Sequence, residues 1–183
     1  HSLRRRQRQM CIRDRYKVLK KQNSSKTCLV CGVKNDLGLK ARFYQLENGE
    51  LASIFNSKEF HQSYPGRVHG GISAAILDET IGRAISVSDE TVWGVTGSLE
   101  LRYKKPVPID CDLITVARVT RDTRKLFEGE GEIILPNGEI AVTAKAKYVK
   151  MPIDQIADEC DMAEEWLPIP DDEPVEYIEI PGR

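Results

Sequence analysis

The stretch from Gly70 to about Ser88 constrains this chain more than any other. Ala74, Leu77, Ile81, Ala84 and Ile85 fall on one stripe at helical spacing, and Ile72 and Ile76 widen it until most of the circumference is apolar. A helix of that kind has to be hidden from water on most sides, so the remaining chain must wrap it. The flanking sequence supplies strands for this. Residues 38–47 and 50–56 alternate around Asn48-Gly49, the signature of a tight hairpin. Beyond the helix, strand-like runs lie near 92–104, 111–121, 126–135 and 139–149. Pro106-Val107-Pro108, Asp122-Thr123-Arg124 and Pro136-Asn137-Gly138 separate them, and these short connections predict an antiparallel meander. Two strands, one buried helix and four more strands define an α+β fold with an antiparallel sheet wrapped around a central helix. Such a unit leaves edges and a face open, and a symmetric dimer that joins two sheets is the economical cover.

With 183 residues, 40% of them hydrophobic, the chain suits one domain, expected over residues 27–152, with a tail at each end. Charge separates the tails. Residues 1–26 hold ten Lys/Arg and one acid, residues 153–183 hold eleven acids and one Arg, and the body carries sixteen of each sign. That balance argues against a nucleic-acid surface on the body. The basic tail has little apolar periodicity and is expected to be disordered, with Arg8-Gln9-Met10-Cys11-Ile12-Arg13-Asp14-Arg15 reading as a non-native leader. A basic arm for RNA or an organelle address is the other reading. The acidic tail is expected to form an amphipathic helix over about Ile153 to Trp166 and then a Pro-rich extended end. No run approaches the ~20 apolar residues that span a bilayer, so a soluble, cytoplasmic protein with no membrane partner is expected. Five cysteines, an odd number, point to free thiols in a reducing compartment.

The chemistry concentrates where the loop His61 to Val68 meets the helix. In Tyr64-Pro65-Gly66-Arg67-Val68-His69-Gly70-Gly71-Ile72, two glycines sit where the unpaired helical N–H groups begin, which is a place for an oxyanion. The same pair would also serve a tight turn and close helix–sheet packing. Two turns on, Asp78 has Ala74, Ala75, Ile81 and Gly82 as helical neighbours. A carboxylate in such company is either catalytic or held by structural hydrogen bonds. Glu79 differs, since Arg83 one turn away explains both. Cys28-x-x-Cys31-Gly32 is half of a zinc site; no second CxxC or HxxxH completes it, so small apolar turn residues and no metal are expected. Arg102, Lys104, Lys105, Arg124 and Lys125 are cations on strand ends or turns, suited to an anionic ligand or to a solvated face.

His69-Gly70-Gly71 followed by Asp78 resembles the PaaI-like branch of the hot-dog-fold acyl-CoA thioesterases. The resemblance spans residues 28–150 and includes Cys28-Leu29-Val30-Cys31-Gly32, the Tyr-Pro-Gly turn, Leu77-Asp78-Glu79, and Leu101-Arg102-Tyr103 before Lys105-Pro106-Val107-Pro108. It implies a homodimer, often paired into a homotetramer, with active sites at subunit boundaries and no cofactor. It also implies an acyl-CoA substrate whose carbonyl meets Gly70 and Gly71, with Asp78 of the neighbouring chain as the catalytic carboxylate. Thr96 and Ser98 fall near the family's water-positioning hydroxyl. Many members carry Asn six positions before the histidine, where this chain has Ser63; Gln62 and His61 are adjacent substitutes. His69 is expected to shape the turn and His61 to lie on the loop surface, where it could line the site. Two rivals stand beside hydrolysis: a hydratase or dehydratase of the same fold using His69 or His61, and a non-catalytic dimer that binds acyl-CoA or a partner protein.

Overall fold

The computed structural model describes residues 13–157 and 161–183. Among these, the strands are β1 (Arg13–Lys21), β2 (Ser24–Ser25), β3 (Arg42–Leu46), β4 (Leu51–Asn56), β5 (Gly94–Tyr103), β6 (Asp112–Asp122), β7 (Leu126–Ile134), β8 (Ile140–Lys150), β9 (Trp166–Leu167) and β10 (Tyr177–Pro181). The helices are α1 (Gly70–Arg83), α2 (Ile153–Ile156) and α3 (Met162–Glu165), and α1 runs on into a 3₁₀ turn over Ala84–Val87. Eight strands form one antiparallel sheet in the order β10-β1-β3-β4-β6-β7-β8-β5, while β2 and β9 pair separately.

The hairpin, the central helix and the four later strands fall close to their sequence positions. Gly49 takes φ +81° at the hairpin tip, where a side chain would be strained. The meander holds only for β6-β7-β8. Strand β5 pairs with β8 at the sheet margin, and β6 inserts beside β4, because the Pro106-Val107-Pro108 link carries the chain across the end of the sheet. Helix α1 packs on the sheet through Ile76, Leu77 and Ile81, all fully buried, a contribution of about 1.5–3 kcal/mol per side chain. Strand β7 makes room for it with glycine. A Cβ at Gly129 would lie 2.6 Å from Ile81 Cγ2, and one at Gly131 would lie 3.0 Å from Ile81 Cγ1.

Two expectations about the tails are corrected. Residues 13–25 are not unstructured, since β1 pairs with both β3 and β10, and the Asp171 carboxylate accepts from Lys21 Nζ at 2.6 Å and from the Tyr44 hydroxyl at 3.1 Å. The first twelve residues of the presumed leader lie outside the described residues. Tyr16 and Val18 pack beside Tyr44, Leu46, Ile178 and Ile180 in a second cluster on the sheet face away from α1. A register break between Val18 and Lys20 interrupts the alternation that would have marked this strand. The single helix expected over Ile153 to Trp166 is instead two one-turn pieces, because Ala157 turns extended after α2; residues 158–160 lie outside the described residues. Among the described residues no helix is long and apolar enough to cross a membrane.

Candidate active site

Asp78 lies half-buried on α1, facing the start of β5 and the end of β8. Its carboxylate accepts from the Thr96 hydroxyl at 3.0 Å and lies 3.0 Å from the Tyr148 hydroxyl, which also lies 2.7 Å from the Asp78 carbonyl. Burial and the Asp78 charge push the Tyr148 phenol far above its ordinary pKa of 10.0, so it stays a proton donor. The ring stacks on Phe127 at 4.8 Å. Two glycines leave space for this pair: a Cβ at Gly82 would sit 3.0 Å from Tyr148 Cε1, and one at Gly94 would sit 2.7 Å from Phe127 Cε1. Sequence reading missed Tyr148; its only local signal is an apolar-face tyrosine opposite Thr96.

The register of β5 decides between the two candidate hydroxyls. Thr96 pairs with buried Tyr148, but a break between Thr96 and Ser98 sets Ser98 opposite exposed Lys147, on the other face of the sheet. Ser98 therefore points away from Asp78, which corrects its assignment beside Thr96. Asp78, Glu79, Thr96, Tyr148, Trp93 and Trp166 are among the residues lining a cavity of about 430 Å³ between α1, the start of β5 and the segment around β2.

The helix mouth presents a different arrangement. Gly71 is corrected as an oxyanion donor, because its N–H already donates to His69 Nδ1 at 2.9 Å. Among the described residues the Gly70 N–H has no acceptor. This cap through Nδ1 fits the expected turn-shaping role of His69. The Tyr103 hydroxyl donates to the Gly70 carbonyl at 2.8 Å and braces the first turn. Gly70, Tyr103, Lys104 and Lys105 border a second hollow of about 340 Å³. Gly70 and Asp78 are eight residues apart on one helix, about 12 Å along its axis, and they open into different hollows.

The remaining candidates divide. His61 is buried, not on the loop surface: Nδ1 accepts from the Lys58 N–H at 3.0 Å, and Nε2 lies 2.8 Å from the Leu37 carbonyl, so both nitrogens are engaged. Gln62 caps the Tyr-Pro-Gly turn, accepting from the Gly66 N–H at 3.0 Å, and Ser63 is exposed. Arg102 is exposed and pairs with Glu100 at 3.4 Å, away from both hollows. Lys104 reaches the Gly70 hollow, and Arg124 is exposed on the turn between β6 and β7.

Beside the Asp78 cavity a third cluster assembles. Cys28 and Cys31 lie on one turn, and Glu79 Oε1 stands 3.6 Å from Cys31 Sγ. Arg83 bridges them, with Nη2 3.0 Å from Cys31 Sγ and Nε 2.8 Å from Glu79 Oε1, while its plane lies 4.4 Å from the Phe43 and Trp166 ring centres. The Cys31 hydrogen bond holds the Cys28 thiol down, at about 6, and pushes Cys31 the opposite way. The sequence paired Glu79 with Arg83 correctly but gave no sign that the loop of Cys28 and Cys31 folds onto that pair.

A half-wrapped central helix, an open strand at the sheet margin and a carboxylate facing a cavity define a hot-dog domain. Residues 65–142 match the family model of the thioesterase superfamily. The chain is 33% identical over 88 residues to acyl-coenzyme A thioesterase THEM4 of Mus musculus, across 48% of this chain and 37% of that protein. It thus spans well under half the length of that curated relative. A crystal structure of a thioesterase superfamily protein superposes with a TM-score of 0.62 at 26% identity, covering 67% of this chain and 59% of that one. The PaaI protein of the E. coli phenylacetic acid degradation operon shares the fold with a TM-score of 0.56 at 13% identity, over 62% and 80% of the two chains.

Proposed function

We propose that this protein hydrolyses a small acyl-CoA thioester to the free acid and coenzyme A, at two sites built between the chains of a homodimer. The observation that carries the reading is the Asp78 carboxylate, held by the Thr96 and Tyr148 hydroxyls at the wall of a cavity. A carboxylate fixed in this way has a defined direction of attack, and its two donors leave the outward lone pairs for a substrate or a water. The thioester oxygen takes the Gly70 N–H, whose position at the positive end of α1 favours the charge that develops there. Asp78 attacks the carbonyl carbon or removes a proton from the attacking water, and coenzyme A leaves as the thiolate. Lys104, exposed beside Gly70, suits the phosphates of the coenzyme, and the cavity that Asp78, Trp93 and Trp166 line suits the acyl group.

The separation along α1 argues for two chains. Strand β5 is ten residues long, largely exposed, and lies at the sheet margin between the two half-sites, with Thr96 toward one end and Tyr103 at the other. Antiparallel pairing of β5 with its copy would bring Thr96 and Asp78 of one chain to Tyr103 and Gly70 of the other. A hydratase of the same fold that works through His61 is less well supported, because both nitrogens of that ring are engaged. Further pairing of dimers into a tetramer belongs to the same proposal.

The test mixes two dead variants. Asp78→Asn removes the carboxylate, and Gly70→Pro removes one N–H at the first helical position, where proline is tolerated. Each alone is expected to lose thioester hydrolysis, followed by thiol release from acyl-CoAs. Co-refolded in equal amounts, they should regain about a quarter of wild-type activity, since half the dimers are mixed and each holds one intact site. A mixture that stays silent overturns the shared site, and hydrolysis that survives in Asp78→Asn overturns the mechanism.

A further inference from the structure

We infer that Cys28, Cys31 and Glu79 form a binding site for a divalent metal of zinc-like chemistry, with its fourth position opening on the cavity beside Asp78. The donors are already gathered. Cys28 Sγ, Cys31 Sγ and a Glu79 carboxylate oxygen lie within 4.8 Å of one another, and the Cys31 to Glu79 separation is 3.6 Å. Tetrahedral zinc, with bonds of about 2.3 Å to sulfur and about 2.0–2.2 Å to oxygen, requires a sulfur–oxygen edge of roughly 3.5 Å. The site therefore needs little rearrangement to close on an ion.

The backbone around the two sulfurs is shaped for negative charge. The Val30 N–H points to Cys28 Sγ at 3.2 Å, and the Ser25 N–H points to Cys31 Sγ at 3.3 Å. Gly32 makes the turn possible: its N–H donates to the Cys28 carbonyl at 2.9 Å, and a Cβ there would lie 2.3 Å from that oxygen. Charge counting points the same way. Two thiolates and a carboxylate carry three negative charges, and Arg83, touching both Cys31 and Glu79, returns one. A divalent cation brings the cluster to neutrality, with Arg83 as the outer partner that orients the ligands. Cys28 and Glu79 line the cavity while Cys31 is buried behind them, so the remaining coordination position faces the open space. Bound there, the ion would tie the loop of Cys28 to α1 one residue beyond Asp78.

The experiment needs no hydrolysis readout, so it stands or falls apart from the proposed activity. The full chain, purified under reducing conditions and stripped with a chelator, is titrated with zinc, and bound metal is measured after gel filtration. One zinc per chain is expected, and cobalt in its place should give the thiolate charge-transfer and intense visible bands of a tetrahedral site. Cys28→Ser and Glu79→Gln should weaken binding by at least about tenfold, while Cys111→Ser leaves it unchanged. Alkylation mapped by peptide mass on the unsubstituted chain guards against variants that fail to fold: zinc should protect Cys28 and Cys31 and spare Cys111. Sub-stoichiometric zinc, a Cys28–Cys31 disulfide formed in preference to metal binding, or unprotected thiols would overturn the site. Unaltered affinity in Glu79→Gln would remove the carboxylate and with it the proposed ligand set.

Discussion

The Thr96 hydroxyl donates to the Asp78 carboxylate at 3.0 Å, from the margin strand of the sheet to the helix it wraps. This contact fixes one rotamer of the acid against the strand at the open margin of the sheet, so helix and margin strand are mechanically joined. A hydrogen bond to a charged group is worth about 1.5–3 kcal/mol. Thr96→Val should therefore lower kcat for thioester hydrolysis by about ten- to a hundredfold with little change in KM, and Thr96→Ser should restore most of it. Equal losses in Thr96→Ser and Thr96→Val would show that the methyl packing, not the hydroxyl, is what counts.

The seat of α1 on β7 gives a stability prediction. Gly129→Ala places a methyl 2.6 Å from Ile81 Cγ2 and 3.0 Å from the Arg118 carbonyl, which has no room to retreat. Overpacking of this kind costs about 1–3 kcal/mol. Urea denaturation should show that loss, and pairing the change with Ile81→Val should recover part of it. A Gly129→Ala chain as stable as the parent would mean that helix and sheet slide apart more easily than the packing implies.

Alkaline stability follows from Tyr44. Burial is the main cause that raises its phenol from 10.0 to about 12, with the Asp171 carboxylate that it donates to adding to the rise. The folded pKa lies above the unfolded one, so the contribution is complete below pH 10 and is lost progressively as pH climbs toward about 12, by up to roughly 2–3 kcal/mol. Denaturant midpoints across that range should fall more steeply for the parent than for Tyr44→Phe. Identical slopes would assign the alkaline loss to other groups.

The parts of the fold that were legible in the sequence are those written in short-range patterns. The Asn48-Gly49 hairpin and the apolar stripe of α1 each sit within one element, and the four later strands carry their own turn signals. What was not legible depends on distant pairing. Among the described side chains of β1, Tyr16 and Val18 are the inward ones before its register breaks, and its partners β3 and β10 lie further along the chain. The site divides in the same way. Asp78 and Gly70 stood out by local company, whereas the choice of Thr96 over Ser98 turned on a break in strand register, and Gly71 was lost to a side-chain cap from His69. The contact of Glu79 with Cys31 joins residues 48 apart, which no spacing rule reaches.

The order of the sheet has an outcome beyond catalysis. One margin ends in β10, a short strand closed by Pro181 and bearing Glu179, whereas the other ends in the long, unobstructed β5. Among the described strands β5 is the long margin, and a two-fold pairing through it would consume that margin in both molecules at once. In the proposed dimer, growth into ribbons or fibrils would thus be halted by the topology itself, and the chain could keep a sticky edge without the hazard of runaway polymerisation.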